Sequence, residues 1–537
     1  MASPTAAEAA RTRGIVHSEI FPVAMLLAGF LLRLRLAHFT FLNPDEALHY
    51  LLSVQPSAAL AYKASLTTVH PPLFILWLHY WGLFGHSEFL LRLPCVLAGT
   101  AFCWIVYRWL TVALNRAAGI IALALLLFLP PLIFVSAELR QYAFLLFFMA
   151  ASVYLFDRAC SPDSTSAMLG SGFFLCLALL THYSAFLFAA AFAVYALVRF
   201  TSRNAPRRLL AAWIVTMLVA AALWAFLWTS HVSHLAVRGV LHGMAEGWFR
   251  QAIFQPGESV LRFALKASLR FFHYLFWSGA IGAIGLLLFI VGVVQLLRNR
   301  ESSSQNPARP TTRQLDIFLT LPFLINLATA FAGKYPLGGT RHNAFLAMFA
   351  IAGISVPLAR WSAFRRWSIA AGIAAALAIV NFFPSPSGTY IRPEFQSRKL
   401  MKQATDFLAQ SLPPGSTILA DQESALLLSY YFCHSPVVQI EPSLRPLHKF
   451  SCGDKWVITT FPRWFIFDGQ TLPTALKQIA GMGSGPAGTL WFFQAGWLVE
   501  KEPEIRKVLT QHNCSMPGNF GQNILICELT ASPNSAQ

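Results

Sequence analysis

Eleven apolar runs, each close to the length of a helix that crosses a hydrocarbon layer, are strung along residues 20–383 of this 537-residue chain. A bilayer core about 30 Å thick takes about 20 helical residues. Inside it every backbone N–H and C=O needs a partner within the protein, so such runs are read as spanning helices. Composition agrees: 56% of the residues are hydrophobic and 12% charged, against about 25% charged in ordinary soluble proteins. A soluble globular fold is excluded, and the expected class is a polytopic α-helical membrane protein.

The first run, Ile20 to Leu32, follows Arg11 and Arg13 and looks at first like a signal peptide. It leads into Arg33, Leu34 and Arg35 instead of the small residues of a cleavage site, so it reads as an uncleaved span closing near His38. The other ten are Phe89 to Leu110, Ala117 to Val135, Leu139 to Phe156, Ala167 to Leu180, Ala185 to Val198, Leu209 to Trp228, Phe271 to Leu297, Leu315 to Phe331, Ala344 to Leu358 and Trp367 to Phe383. No internal repeat relates them.

The net charge of +17 is concentrated here: +16 up to Phe383 and +1 beyond it. With residues 1–19 cytoplasmic, every inside loop is Arg-rich: Arg116; Arg158; Arg199, Arg203, Arg207 and Arg208; Arg298, Arg300, Arg309 and Arg313; Arg360, Arg365 and Arg366. That is the positive-inside bias, and it puts residues 384–537 on the outer side. No basic block or interleaved aromatic and basic patch points to nucleic acid. The run from Pro71 to Gly85 is too short to span and is expected at the outer interface, since counting it as a span would place the Arg loops outside. In the outer loop Ser230 to Arg270, Arg262, Lys266 and Arg270 recur every four residues and form one basic helical face, for anionic headgroups or a lipid phosphate.

From Pro384 charges balance and short apolar runs alternate with amphipathic ones, which predicts an extracytoplasmic α/β domain. Helices are expected over Glu394 to Gln410 and Glu423 to Phe432. Strands are expected at Thr417 to Ala420, Val437 to Ile440, Trp456 to Phe461, Leu490 to Phe493 and Ile524 to Leu529. Cys433, Cys452, Cys514 and Cys527 fall in this domain, where one or two disulfides are expected. Cys95, Cys103, Cys160 and Cys176 sit in or beside spans, and no Cys/His spacing suggests zinc.

Given this topology, polar residues collect at the outer ends of the spans: Asp45 and Glu46, His70, Glu138, Arg140 and Tyr142, His182 and Tyr183, then Lys334, Arg341 and His342. Ionisable groups at membrane depth are costly and mark function by default. Each also has a structural reading. Asn43-Pro44-Asp45-Glu46 is a helix start, as well as a place for a general base. Pro71-Pro72 opens a helix, where His70 would face an anion held near the helix N-terminus. Glu138 with His182 would make a structural pair, while Arg140 calls for an anion and its planar fork suits phosphate. Lys334-Tyr-Pro-Leu-Gly-Gly-Thr-Arg-His342 offers a Gly-Gly turn whose amides would approach phosphate.

The order Asp45-Glu46, His70-Pro-Pro, Ser136-x-Glu-x-Arg-x-Tyr142, Thr181-His-Tyr183 and Tyr335-Pro-Leu-Gly-Gly-Thr-Arg-His342 resembles the bacterial family-39 glycosyltransferases of the GT-C superfamily. These are related to the protein O-mannosyltransferases and the lipid A aminoarabinose transferases. The resemblance covers about Ile20 to Phe383; His70 stands where the aminoarabinose transferases have a Lys. It implies a membrane glycosyltransferase of the cell envelope that takes a sugar from a polyprenyl phosphate on the outer side of the plasma membrane. An acceptor hydroxyl or amine, on lipid, glycan or protein, would displace the phosphate with inversion. Asp45 would be the base, with Glu46 beside it, and His70, Arg140, Tyr142, His182, Lys334, Arg341 and His342 would bind the donor. No cofactor is implied, and beyond Glu46 no ligand set for a divalent cation is apparent. Two other readings use the same residues: a lipid or small-anion transporter, which would carry its charged groups nearer the midplane, and a scaffold that binds a lipid-linked sugar without turnover.

Overall fold

The computed structural model describes residues 19–529 apart from 161–162, 203–204, 238–248, 300–308, 362–367, 384–394, 435–446, 461–465, 481–489, 497–501, 513, 515–519 and 522. Contacts divide the chain into two units. The first takes Met1–Arg35, Thr68–Phe74 and Arg92–Pro386, and the second Leu36–Thr67, Ile75–Leu91 and Ser387–Gln537.

Each of the eleven apolar runs contains a helix. Among the described residues eight helices are long and apolar enough to cross a membrane: Ile20–Phe39, Glu88–Ala113, Tyr142–Ala159, Ser184–Thr201, Arg207–Val237, Gly279–Arg298, Thr312–Phe331 and Arg341–Trp361. Thr165–Leu179 and the helix ending at Val380 are shorter. The remaining run is a bent pair, Arg116–Phe128 and Pro130–Ala137, with 62° between its halves. The bend has a covalent cause. Pro130 and Pro131 have no N–H to offer the carbonyls of Leu126 and Leu127 four residues back, and Leu129 before them is extended.

Those two carbonyls are bonded by Arg33. Its guanidinium, fully buried, donates to Leu127 O at 2.9 Å and Leu126 O at 3.1 Å, and also to Gly29 O at 3.0 Å. Asn381 Nδ2 donates to the next carbonyl, Phe128 O, at 2.9 Å. Polar side chains thus complete the backbone bonding that the prolines interrupt, as a hydrocarbon environment requires.

One expected span is divided differently. The continuous apolar run Phe271 to Leu297 forms two helices, Val260–Phe276 and Gly279–Arg298, separated by Trp277 in the left-handed region (φ 51°). Ser278 then starts the second helix by accepting the Ile281 N–H at 3.3 Å. Phe271 therefore belongs to the basic amphipathic helix, and the span begins at Gly279. This span meets Arg341–Trp361 through glycine, because a Cβ on Gly292 would collide with the Gly353 carbonyl.

The second unit is built on a five-stranded sheet in the order β2-β3-β1-β4-β5. The strands are β1 Thr417–Leu419, β2 Leu447–Cys452, β3 Lys455–Thr460, β4 Leu490–Ala495 and β5 Ile524–Leu529. The centre is parallel (β3-β1-β4) and both edges are antiparallel. Helices Arg398–Ser411 and Gln422–Tyr431 lie close to expectation, the first starting later because Ser397 caps it. Thr471–Ala480, Glu502–Gln511 and β2 were not expected; the strand expected at Val437 to Ile440 lies outside the described residues. The four cysteines form two disulfides, Cys433–Cys452 and Cys514–Cys527. Phe41 and Ala47, far earlier in the chain, are fully buried in the same core as Met401, Ile418 and Phe493.

Candidate functional site

Four connections in the first unit gather six of the expected residues. Helix Tyr142–Ala159 starts at Tyr142, so Glu138 and Arg140 stand in the turn before it and not on its faces. His182 lies in the connection between Thr165–Leu179 and Ser184–Thr201, His70 just before the helix that opens at Leu73, and Arg341 and His342 in a 3₁₀ turn, Arg341–Leu346.

At the centre is the buried Tyr142. The Arg140 and Arg341 guanidinium carbons lie 5.8 and 5.9 Å from its ring centroid, within cation–π range. His182 and His342 approach the same ring at 5.1 and 6.1 Å, and His70 stacks on His182 at 5.3 Å. Arg140 Nη2 donates to His70 Nε2 at 3.5 Å, which assigns the His70 proton to Nδ1. His182 Nδ1 accepts the Ser184 backbone N–H at 3.2 Å, so its own proton sits on Nε2. Burial, and then the nearby Arg140 charge, push His182 down to about 3, so the imidazole is neutral at physiological pH. Arg341 pairs with Glu138 at 3.5 Å, and this replaces the expected pairing of Glu138 with His182. Two guanidiniums and one carboxylate, largely buried among aromatic rings, make a place suited to an anion.

Lys334 is exposed and no contact joins it to this cluster among the described residues. In the Gly-Gly turn the Gly338 N–H is taken by Asn343 Oδ1 at 3.0 Å, so it does not serve a phosphate. The glycines answer to packing: a Cβ on Gly339 would sit 2.8 Å from Arg270 O, on the basic helix Val260–Phe276. Arg270 itself donates to Gln251 O at 2.7 Å.

Sequence reasoning missed His231. It stands in a π-helical turn, Trp228–Val232, a geometry common at functional sites. Its Nε2 donates to Thr68 O at 2.7 Å and its Nδ1 takes the Tyr183 hydroxyl at 2.7 Å. His231 thus ties together the segments carrying His70 and His182. The one signal was a polar His-containing stretch ending a long apolar run.

Asp45 and Glu46 belong to the second unit. Asn43 and Glu46 form a reciprocal capping box around Pro44–Ser53: Asn43 N–H to Glu46 Oε2 at 2.8 Å, Glu46 N–H to Asn43 Oδ1 at 3.1 Å. Glu46 is fully buried by this. Asp45, one position earlier, is half-buried in the first turn, and its carbonyl accepts His49 Nδ1–H at 2.7 Å. Among the described residues no group of three or more His, Cys, Asp and Glu is arranged to hold a metal ion.

Residues 69–231 match the dolichyl-phosphate-mannose-protein mannosyltransferase family. That stretch contains His70, Arg140, Tyr142 and His182. No curated protein sequence matches the chain significantly. Two crystal structures of ArnT from Cupriavidus metallidurans match it almost end to end. The structure bound to undecaprenyl phosphate has a TM-score of 0.54 and 15% identity over 96% of this chain and 98% of that one. The apo structure has a TM-score of 0.55 and 14% identity over 97% and 99%. The fold, spans and C-terminal sheet domain together, is thus the GT-C fold.

Proposed function

We propose, from the GT-C fold and the anion-suited cluster around Tyr142, that this chain is a membrane glycosyltransferase that takes a sugar from a polyprenyl phosphate. The match to a mannosyltransferase family and to an ArnT crystallised with undecaprenyl phosphate supports a donor of that class. The Arg-rich loops support a cytoplasmic N-terminus and transfer on the outer side of the membrane.

Arg140 and Arg341 hold the donor phosphate, and His70 orients Arg140 by accepting one of its N–H bonds. Neutral His182 adds its Nε2–H without adding charge. Asp45 takes the proton of the acceptor hydroxyl or amine as its O or N bonds to the anomeric carbon, while the bond from that carbon to the phosphate oxygen breaks. The electron pair leaves on the phosphate, where the guanidiniums stabilise it. Phosphate is a good leaving group, so no general acid is needed, unlike a glycosidase pair. Glu46 holds the helix that presents Asp45, and Lys334 and the basic helix remain available to the lipid.

The observation that carries this reading is the pair of guanidiniums, Arg140 buried and Arg341 largely so, within about 6 Å of one tyrosine ring. Purified protein in nanodiscs, offered a panel of radiolabelled polyprenyl-phosphate sugars and candidate acceptors, should release label from one of them. Asp45→Asn should slow release by about 10²- to 10⁴-fold, the usual worth of a general base, while still binding donor. Full transfer in that variant would remove Asp45 as the base, and a carrier or passive scaffold would release no label.

A further inference from the structure

The reaction above assigns no step to the amphipathic helix Val260–Phe276. One face of it is fixed: Phe263, Ala267, Phe271 and Leu275, four residues apart, are buried, and Phe263 meets Phe254 edge-to-face with centroids 5.6 Å apart. The other face carries two exposed stripes side by side. Leu261, Leu265 and Leu269 make an apolar one, with Leu261 79% exposed. Arg262 and Lys266, each one position further on, make a basic one. Among the described residues neither cation has an ion-pair partner. Arg270 has left the stripe, since it donates to Gln251 O at 2.7 Å and Gln251 Oε1 at 3.0 Å.

An apolar stripe is unfavourable in water and a basic one in hydrocarbon; both are satisfied at the border between the two. The helix stands at that border, because only Trp277 and Ser278 separate it from the span Gly279–Arg298, and Trp itself favours the interface. The free cations are not placed for the donor phosphate. The helix reaches the Tyr142 cluster at Tyr274, whose hydroxyl is pushed up by burial and then by the Glu138 carboxylate, with Arg341 opposing. Arg262 and Lys266 come twelve and eight residues before Tyr274, about 18 and 12 Å away along the axis. Two cations without carboxylates call for a net negative partner, and the phosphate of a zwitterionic lipid is already matched by its own amine. We infer that Val260–Phe276 is a lipid-docking helix, with Leu261 and Leu265 among the acyl chains of the outer leaflet and Arg262 and Lys266 on the phosphodiesters of acidic phospholipids of the bilayer itself.

The docked helix also bears on the cluster. A Cβ on Gly339 would stand 2.8 Å from Arg270 O and 3.4 Å from Tyr274 Cβ, so the turn that leads into Arg341 rests on this helix. If Arg341 holds the donor phosphate, as proposed above, acidic lipid at one end of the helix steadies Arg341 at the other, and donor affinity follows the composition of the bilayer. That consequence rests on the proposed function; the lipid contact does not.

Full-length protein with the photocrosslinking change Leu265→benzoylphenylalanine would be placed in nanodiscs of equal phosphatidylcholine and phosphatidylglycerol, without donor, and its lipid adducts read by mass spectrometry. Phosphatidylglycerol adducts should exceed phosphatidylcholine adducts about fivefold or more, the worth of one cation near an acidic surface. Adding Arg262→Gln and Lys266→Gln should bring the ratio towards one with the total adduct unchanged, because the leucine stripe keeps the helix in the interface. One equivalent of polyprenyl phosphate should not alter the parent's ratio. A ratio near one in the parent, a ratio that survives the double change, no lipid adduct at all, or loss of the phosphatidylglycerol adduct to polyprenyl phosphate would each overturn the inference, the last by giving this face to the donor. Donor affinity, measured separately, should rise about fivefold from phosphatidylcholine to mixed discs, the low end of coupling between sites, and stay flat in the double variant; a flat parent would strike the coupling to Arg341. Because the adducts are read without donor, failure here leaves the Asp45 experiment standing, and the converse holds.

Discussion

The two ends of helix Tyr142–Ala159 are both polar and buried, yet they are built in different ways. At one end Asp157 accepts Trp109 Nε1 at 2.9 Å and the Tyr195 hydroxyl at 2.8 Å and pairs with Arg199 at 3.4 Å. Arg199 in turn donates to Gln314 Oε1 at 3.1 Å. One anion and one cation are enclosed by side chains from four long helices, and the result is a clasp. At the other end Glu138, Arg140, Arg341, His70, His182 and His342 come from turns and 3₁₀ segments and surround a tyrosine. The clasp completes its own charge balance with regular helices. The cluster uses irregular backbone to aim rings and guanidiniums at a common point, as a receiving site does.

That contrast predicts opposite losses. Arg199→Ala leaves Asp157 buried without its counter-ion, which costs about 3–5 kcal/mol; thermal melting in detergent should fall sharply, and an unchanged melt would show that the clasp holds nothing. Arg140→Ala should melt near the parent while weakening polyprenyl-phosphate donor binding about 10- to 100-fold, the span of about 1.4–3 kcal/mol for charged hydrogen bonds; Arg341→Ala should weaken donor binding as much and also lower the melt, because it leaves the buried Glu138 without its counter-ion. Unchanged binding would return both to structural roles.

Acid sharpens the difference. His182 is held down to about 3 in the folded protein against an ordinary value near 6.5. Between those values the unfolded chain binds the extra proton, so this group's contribution is full above pH 6.5 and is lost as pH falls towards 3. Going from pH 7 to pH 5 should cost about 2 kcal/mol at this one site, and His182→Asn should remove that part of the pH dependence of the melt. A parent melt that is flat over this range would contradict the neutral, buried imidazole. The smallest effect is expected for Tyr183→Phe, which deletes the hydroxyl bonded to His231; about 1 kcal/mol, read as a few-fold weaker donor binding with little change in melting, would identify His231 as positioning the His70 segment.

What the sequence made legible follows from range. The spans are visible because apolar runs are local, and the start of helix Pro44–Ser53 because Asn43, Pro44 and Glu46 write a capping box within four residues. Phe271 to Leu297 misled because its apolarity is continuous while the break depends on Ser278 and Gly279. The common side of His70, Arg140, His182 and Arg341 could be worked out by counting spans. Their partners could not: Glu138 and Arg341 are 203 residues apart, and the pairing of Glu138 with Arg341 over His182 is decided by packing. Strand β2 was hidden because its sequence, Leu447-His-Lys-Phe-Ser-Cys452, mixes polar residues into an edge, although the Gly453-Asp454 turn after it was a usable hairpin signal.

Arg33 bears on how the protein is made. A guanidinium inside the first span disfavours insertion by about 2.5–3.5 kcal/mol, and a helix interrupted by Pro130-Pro131 exposes two carbonyls to lipid. Each is a defect alone, and each cures the other. Arg33 leaves the ribosome 94 residues before Leu127, so the donor is already in the bilayer when the broken helix arrives. The first span thus carries the donor that the third needs, and truncating it should harm the insertion of a helix that lies far downstream.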